Sequence, residues 1–279
     1  VLRGEYETRR GRLLAASTVY VVTMQIFLVA RFLIGAIRWN LEMSQRELRP
    51  GRMILVLFCV VIAVGGCLLS LPKATSPALR ADSAVSTGER VVGCFFTATS
   101  ATCVTGLAVF DTAHDFTRFG QAVILVLIQL GGLGIMIFAS LFGVLAGRQL
   151  SLRHSLALQD AYSRQTIGQM RATIRFIVLA TFACELVGAV MCYPMFHEPG
   201  APWTDGIFHA VFHAVSAFCN AGFALQTDSL VGLHAAWGVY AAVMPLIILG
   251  GLGFPVLRDL GGWCAWRWRD ARARRGRAG

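Results

Sequence analysis

The sequence predicts an all-α polytopic membrane protein built from tandem units of helix, short re-entrant segment and helix, and three observations predict it. Hydrophobic residues make up 56% of the chain and charged ones 14%, with a mean hydropathy of +0.63, against roughly 25% charged residues in a soluble domain. Basic residues fall in clusters separated by neutral chain, with no Lys or Arg in the 82 residues between Arg175 and Arg258, the alternation that positive-inside topology produces. The chain also repeats itself. At an offset of 116, Phe96, Ala98, Ser100, Ala101, Cys103 and Gly106 fall on Phe212, Ala214, Ser216, Ala217, Cys219 and Gly222. At an offset of 119, LIQLGGLGIM (127–136) falls on LIILGGLGFP (246–255). Repeated membrane units commonly place a substrate path at their interface.

Taken in order, residues 1–52 form a basic N-terminal segment with one possible extra span, Leu13–Ile37, interrupted by Arg31 and flanked equally by arginines. Residues 53–147 form the first unit, with uncharged spans Met53–Leu71 and Gln121–Ala146. Residues 148–173 read as a cytoplasmic linker. Residues 174–257 form the second unit, with Phe176–Tyr193, which carries only Glu185, and the uncharged Trp237–Leu257. Each span approaches or exceeds the ~18–20 apolar residues that cross a hydrocarbon core. Residues 258–279 read as a basic cytoplasmic tail, truncated before any further spanning unit. On the positive-inside rule 38–52, 148–175 and the tail are cytoplasmic, and 72–118 and 194–236 face outside. The net charge of +10 therefore marks topology and contact with the lipid bilayer rather than nucleic acid.

Two segments interrupt this pattern, FTATSATCVTGL (96–107) and FHAVSAFCNAGF (212–223). Irregular backbone survives at membrane depth only inside protein or beside a water-filled cavity. Roughly Thr87–Ser100 and Asp205–Ala217 are expected as short helices entered from outside, followed by extended chain ending at Gly106 and Gly222. A dehydrated cation needs a ring of oxygens, which backbone carbonyls can supply. Aiming successive carbonyls at one axis needs some residues at φ > 0, where glycine is cheap. A helix C-terminus adds negative partial charge. Each interruption thus reads as one wall of an ion selectivity filter; a bare re-entrant turn is the alternative.

These residues resemble the Trk/Ktr/HKT superfamily of potassium transporters, in its TrkH and KtrB branch. FTATSATCVTGLAVFDTAHDFTRFGQ resembles that family's first pore loop, LIQLGGLGIMIF the helix after it, SAFCNAGF the second pore loop and LGGLGFPVL the turn that follows. The likeness runs from about Met53 to Asp259. It implies four helix–pore loop–helix repeats around one path, of which this chain carries two. It implies that carbonyls of Val104, Thr105, Gly106 and Leu107 and of Asn220, Ala221, Gly222 and Phe223 bind K+, with Gly106 favouring potassium over sodium. It also implies potassium uptake across the cytoplasmic membrane by a multi-pass homodimer, working with a cytosolic nucleotide-binding regulatory subunit of the TrkA/KtrA type. No tightly bound cofactor is expected beyond the transported ion.

Other polar residues carry less. His209 and His213, spaced i, i+4 on a helix face, could serve a metal or haem, which keeps a membrane-embedded metal or haem protein as one alternative; a non-conducting half-transporter fragment is another. Glu185 is an intramembrane acid and so a functional candidate, or a hydrogen-bonded interior group supporting the second short helix. Gln129 reads as interhelical glue. Gly131, Gly132, Gly134, Gly250, Gly251 and Gly253 mark close packing or a bend. Asp111 and Asp115 could concentrate cations at the mouth. No GxxxxGK[ST], HExxH or GxSxG motif occurs, so an enzyme is not expected.

Overall fold

A computed structural model describes residue 31 and residues 50–82, 84–149, 159–197, 200 and 202–275. The expected span Leu13–Ile37 lies outside the described residues apart from Arg31. Among the described residues regular structure is helical, with one isolated β-bridge between Thr75 and Phe116. The chain divides into two compact units, Val1–Ile128 and Gln129–Gly279.

In the first unit, α1 (Pro50–Leu69) packs against α3 (Thr87–Thr102). Between them lies α2 (Pro77–Ala81), started by the Ser76 side chain, which accepts from the Leu79 N–H, and by Pro77 in the first turn, where its missing donor costs nothing. Helix α3 begins with a reciprocal capping box: the Ser86 hydroxyl accepts from the Glu89 N–H, and the Glu89 carboxylate accepts from the Ser86 N–H. This fixes where the short helix enters, and the Ser86 hydrogen bonds hold the Glu89 carboxyl below the usual carboxylate range. A loop then leads to α4 (Arg118–Gln149), whose N-terminal part belongs to this unit. The loop is tied by the Ser76 N–H to the Asp115 carbonyl (2.8 Å) and the Thr117 N–H to the Ala74 carbonyl (2.9 Å).

The second unit holds the rest of α4, then α5 (Gln159–Phe196), α6 (Trp203–Phe218), a 3-10 turn (Val231–Leu233), a π-helical turn (Val239–Val243), α7 (Met244–Leu252) and α8 (Phe254–Arg275). Its core gathers Ile177, Cys192, Ala210, Phe218, Leu246 and Phe254 around the inner face of α6. Two described helices, Arg118–Ile137 and Ala172–Phe196, are long and apolar enough to cross a membrane, and Leu55–Leu69 is a shorter apolar helix.

One expected span is bent. Trp237–Leu257 is not one straight span: Val239–Leu252 and Phe254–Trp263 meet at 107°. Gly253 sits at the corner with φ +80, and Pro255 follows, whose ring disfavours continuing the helix through the residues before it. In the first copy Met136 stands where Pro255 stands, and α4 runs on unbroken to Gln149. Where described, the expected linker 148–173 is helical, since α4 reaches Gln149 and α5 begins at Gln159, while residues 150–158 lie outside the described set.

Candidate functional site

The short helices fall where the sequence places them, and each closes in the same way. At the end of α3 the Thr105 N–H bonds to the Ser100 carbonyl (2.9 Å) and the Val104 N–H to the Ala101 carbonyl (3.3 Å). At the end of α6 the Ala221 N–H bonds to the Ser216 carbonyl (2.7 Å) and the Asn220 N–H to the Ala217 carbonyl (3.0 Å). Both are Schellman closures, in which the residue after the C-cap takes a left-handed conformation. That residue is Val104 (φ +57) in one copy and Asn220 (φ +58) in the other. Two residues on, Gly106 (φ +72) and Gly222 (φ +74) are left-handed again. The repeat read from residue types is therefore also a repeat of backbone conformation.

This alternation sets the chemistry. In an ordinary strand successive residues point to opposite faces with period two. A left-handed residue at every second position turns alternate peptide planes over, so neighbouring carbonyls tip toward one side. Among the described residues no donor is paired with the carbonyls of Val104, Thr105 and Gly106 or of Asn220, Ala221 and Gly222. Each run follows a helix C-terminus whose last turn holds no basic residue, so the negative end of the helix dipole is unneutralised there. Such unpaired carbonyls can do one thing well, which is to replace water around a cation. The two remaining predicted residues differ. The Leu107 side chain is exposed, whereas Phe223 is buried and its carbonyl accepts a 2.6 Å hydrogen bond from the Ser216 hydroxyl.

Val104 is the expensive part of the arrangement. A β-branched residue at φ > 0 is an outlier, costing roughly 1–2 kcal/mol, whereas asparagine tolerates the region well. Val104→Asn is therefore expected to stabilise the purified protein by about 1 kcal/mol, read as a higher melting temperature in detergent. An unchanged or lower melting temperature would show that the surroundings, not the dihedral, decide the residue.

Close helix approach holds the end of α6. A Cβ on Gly132 would lie 2.6 Å from the Cys219 Sγ, and one on Gly250 would overlap the Phe218 carbonyl oxygen. Glu185 is buried on α5, with its carboxylate 4.0 Å from the Cys219 Sγ and the Gln129 side chain beside it. Glu185 and Gln129 thus support the C-cap of α6 from behind.

The other candidates have hydrogen-bond partners in the fold. His213 has both ring nitrogens engaged, Nδ1 with the His209 carbonyl (2.7 Å) and Nε2 with the Leu225 N–H (3.3 Å), so neither is available to a metal. Among the described residues no three His, Cys, Asp or Glu side chains converge as ligands. Asp111 and Asp115 turn inward on their own loop: Asp115 accepts from the Asp111 N–H and Asp111 from the Ala113 N–H, each at 2.8 Å. Sequence reasoning missed Ser216 as a support of the second segment, whereas it read Gly250 as close packing or a bend and His213 as a polar contact or a ligand. Ser216 had a signal, since it matches Ser100 in the repeat.

The TrkH family model, described as a cation transport protein, matches residues 20–272. The chain is 38% identical over 211 residues to the Ktr system potassium uptake protein B of Bacillus subtilis, covering 76% of this chain and 45% of that protein. It is 37% identical over 216 residues to the potassium/sodium uptake protein NtpJ of Enterococcus hirae, covering 77% and 46%. To the Ktr system potassium uptake protein B of Vibrio alginolyticus it is 36% identical over 217 residues, covering 77% and 45%. The chain thus spans about half the length of these relatives. A family match across nearly all of its length makes this chain a member of the TrkH family of cation transport proteins.

Proposed function

We propose that the chain forms two walls of a cation path and takes part in potassium uptake across the cytoplasmic membrane. The observation that carries this reading is the paired run of unpaired carbonyls, Val104–Gly106 and Asn220–Gly222, matched in φ and placed at negative helix ends. Residues 53–147 and 174–257 are the two repeats, with Leu107 and Phe223 at the rims of the segments. A closed ring of four such segments needs two more, from further residues of the same polypeptide or from a second copy. Hydrated K+ loses water to the carbonyls and moves inward down the membrane potential. Potassium is preferred as the ion because no side chain stands at Gly106 or Gly222, and two of the relatives are named for potassium uptake. A third is named for potassium and sodium, so the ion preference is itself a target for test. The resemblance further supports a homodimer working with a cytosolic nucleotide-binding subunit, with the ion as substrate and no catalytic step.

The test is growth at low K+ of cells lacking K+ uptake, expressing this chain with its membrane insertion checked by blot. The expected result is restored growth, accompanied by K+ accumulation that external Na+ inhibits only weakly. Inserted protein that yields no K+ accumulation, alone or coexpressed with the uncovered half of the Bacillus subtilis relative and a cytosolic regulatory partner, would overturn the proposal.

A further inference from the structure

The two segments are not held alike. In the second, Ser216 and His213, both buried on α6, reach across to residues beyond Gly222. The Ser216 hydroxyl donates to the Phe223 carbonyl at 2.6 Å, and the His213 Nε2 accepts from the Leu225 N–H at 3.3 Å. That acceptor role places the ring proton on Nδ1, where it is donated to the His209 carbonyl at 2.7 Å. The ring is further clamped by stacking on Phe196, with centroids 4.4 Å apart. In the first segment the residues at the matching positions are Thr97 and Ser100. The Thr97 hydroxyl turns back to the Gly93 carbonyl of its own helix (2.9 Å), and Ser100 pairs with the Thr105 hydroxyl (2.9 Å). Chain beyond Gly106 therefore has no counterpart, among the described residues, to the two straps on Phe223 and Leu225.

We propose that His213 and Ser216 are positioning residues that set the ion specificity of the second segment. This rests on the reading of Asn220–Gly222 as ion-binding chain. The Schellman closure pins the inner end of that run to α6, and the two straps pin its outer end. With both ends fixed, the three unpaired carbonyls cannot draw together around a smaller cation. Discrimination by cavity size requires that the carbonyls hold their spacing when the ion changes. A buried hydrogen bond to backbone, satisfied on both sides, supplies that rigidity better than packing alone, because losing one partner leaves the other unpaired.

The test compares Ser216→Ala, His213→Phe and His213→Gln in the purified full chain, reading thermal stabilisation in detergent across K+ and Na+ titrations. His213→Phe keeps an aromatic ring for the Phe196 stack but removes the acceptor. His213→Gln returns a carbonyl oxygen near the Nε2 position. The expected result is that Ser216→Ala and His213→Phe each lower the ratio of Na+ to K+ concentrations needed for half-maximal stabilisation, by roughly fivefold. His213→Gln should recover most of that ratio. A lowered melting temperature in Ser216→Ala and His213→Phe with the ratio unchanged would overturn the proposal and leave the two residues as packing only. An unsubstituted protein that responds to neither ion above a choline control would overturn the ion-binding reading itself, and the straps with it.

Discussion

Gly250→Ala should dismantle the second carbonyl segment, while Gly251→Ala beside it should be tolerated. The added methyl of the first would overlap the Phe218 carbonyl oxygen and lie 2.9 Å from the Phe218 carbonyl carbon and 3.0 Å from the Asn220 Nδ2. These are mostly backbone atoms, so no rotamer change relieves the clash. Phe218 cannot retreat easily either, since its ring is fully buried against Phe254 with centroids 6.4 Å apart. Either α7 moves out or the last turn of α6 unwinds, and the latter carries the C-cap Cys219 and the left-handed Asn220 with it. Overpacking at a well-filled contact costs about 1–3 kcal/mol, and the response to K+ should vanish. Gly132→Ala is intermediate, because its methyl would meet the Cys219 Sγ at 2.6 Å, a side-chain atom held in a buried place. Gly251 has nothing within 4 Å, so an alanine there adds only helix propensity, worth about 0.5–1 kcal/mol in favour. Melting curves of the three variants check the order, and equal melting of Gly250→Ala and Gly251→Ala would refute it.

What the residues revealed before any coordinates, and what they concealed, follows from whether the interactions are local. Two of the spans and both short helices were legible because length and hydropathy decide them. The ends of α3 and α6 were legible because small residues and a glycine recur at fixed spacing in both copies. The conformation of Val104 was not, since valine argues against φ > 0; it is forced by the hydrogen bonds of the Val104 and Thr105 N–H groups to the end of α3. Likewise His209 and His213 look like a ligand pair on a helix face, yet the partner that defines His213 is the Leu225 N–H, 12 residues away on the returning chain. The acids Asp111 and Asp115 were read as charges that could concentrate cations at the mouth; that both also bond backbone N–H groups of their own tight loop, as such carboxylates tend to, appears only in the fold. The 107° corner at Gly253 was half legible. Glycine allowed it, and Pro255, absent from the first copy, decided it.

Gly106→Ser and Gly222→Ser should both weaken the preference for K+, and they should differ in a way that separates conformation from ion contact. Each puts a side chain at φ +72 or +74, where an L-residue costs about 1–2 kcal/mol. In the first segment that strain adds to Val104, two residues earlier at φ +57, so relaxation back toward φ < 0 can relieve two residues at once. In the second, the matching residue is Asn220, which bears the left-handed region cheaply, and the Phe223 and Leu225 straps resist relaxation. Gly106→Ser is thus expected to lose more stability and more K+ preference than Gly222→Ser. Val104→Asn should change the stability of Gly106→Ser by an amount different from its effect in the unsubstituted protein, whereas the two effects would simply add if the two dihedrals were uncoupled. The readouts are detergent melting and K+ against Na+ competition for uptake in cells lacking their own K+ uptake. Were selectivity unchanged in both serine variants, carbonyls at these positions would not be what holds the ion. Were selectivity lost equally in both, the hydroxyl itself, rather than the strained backbone behind it, would be the disturbing element.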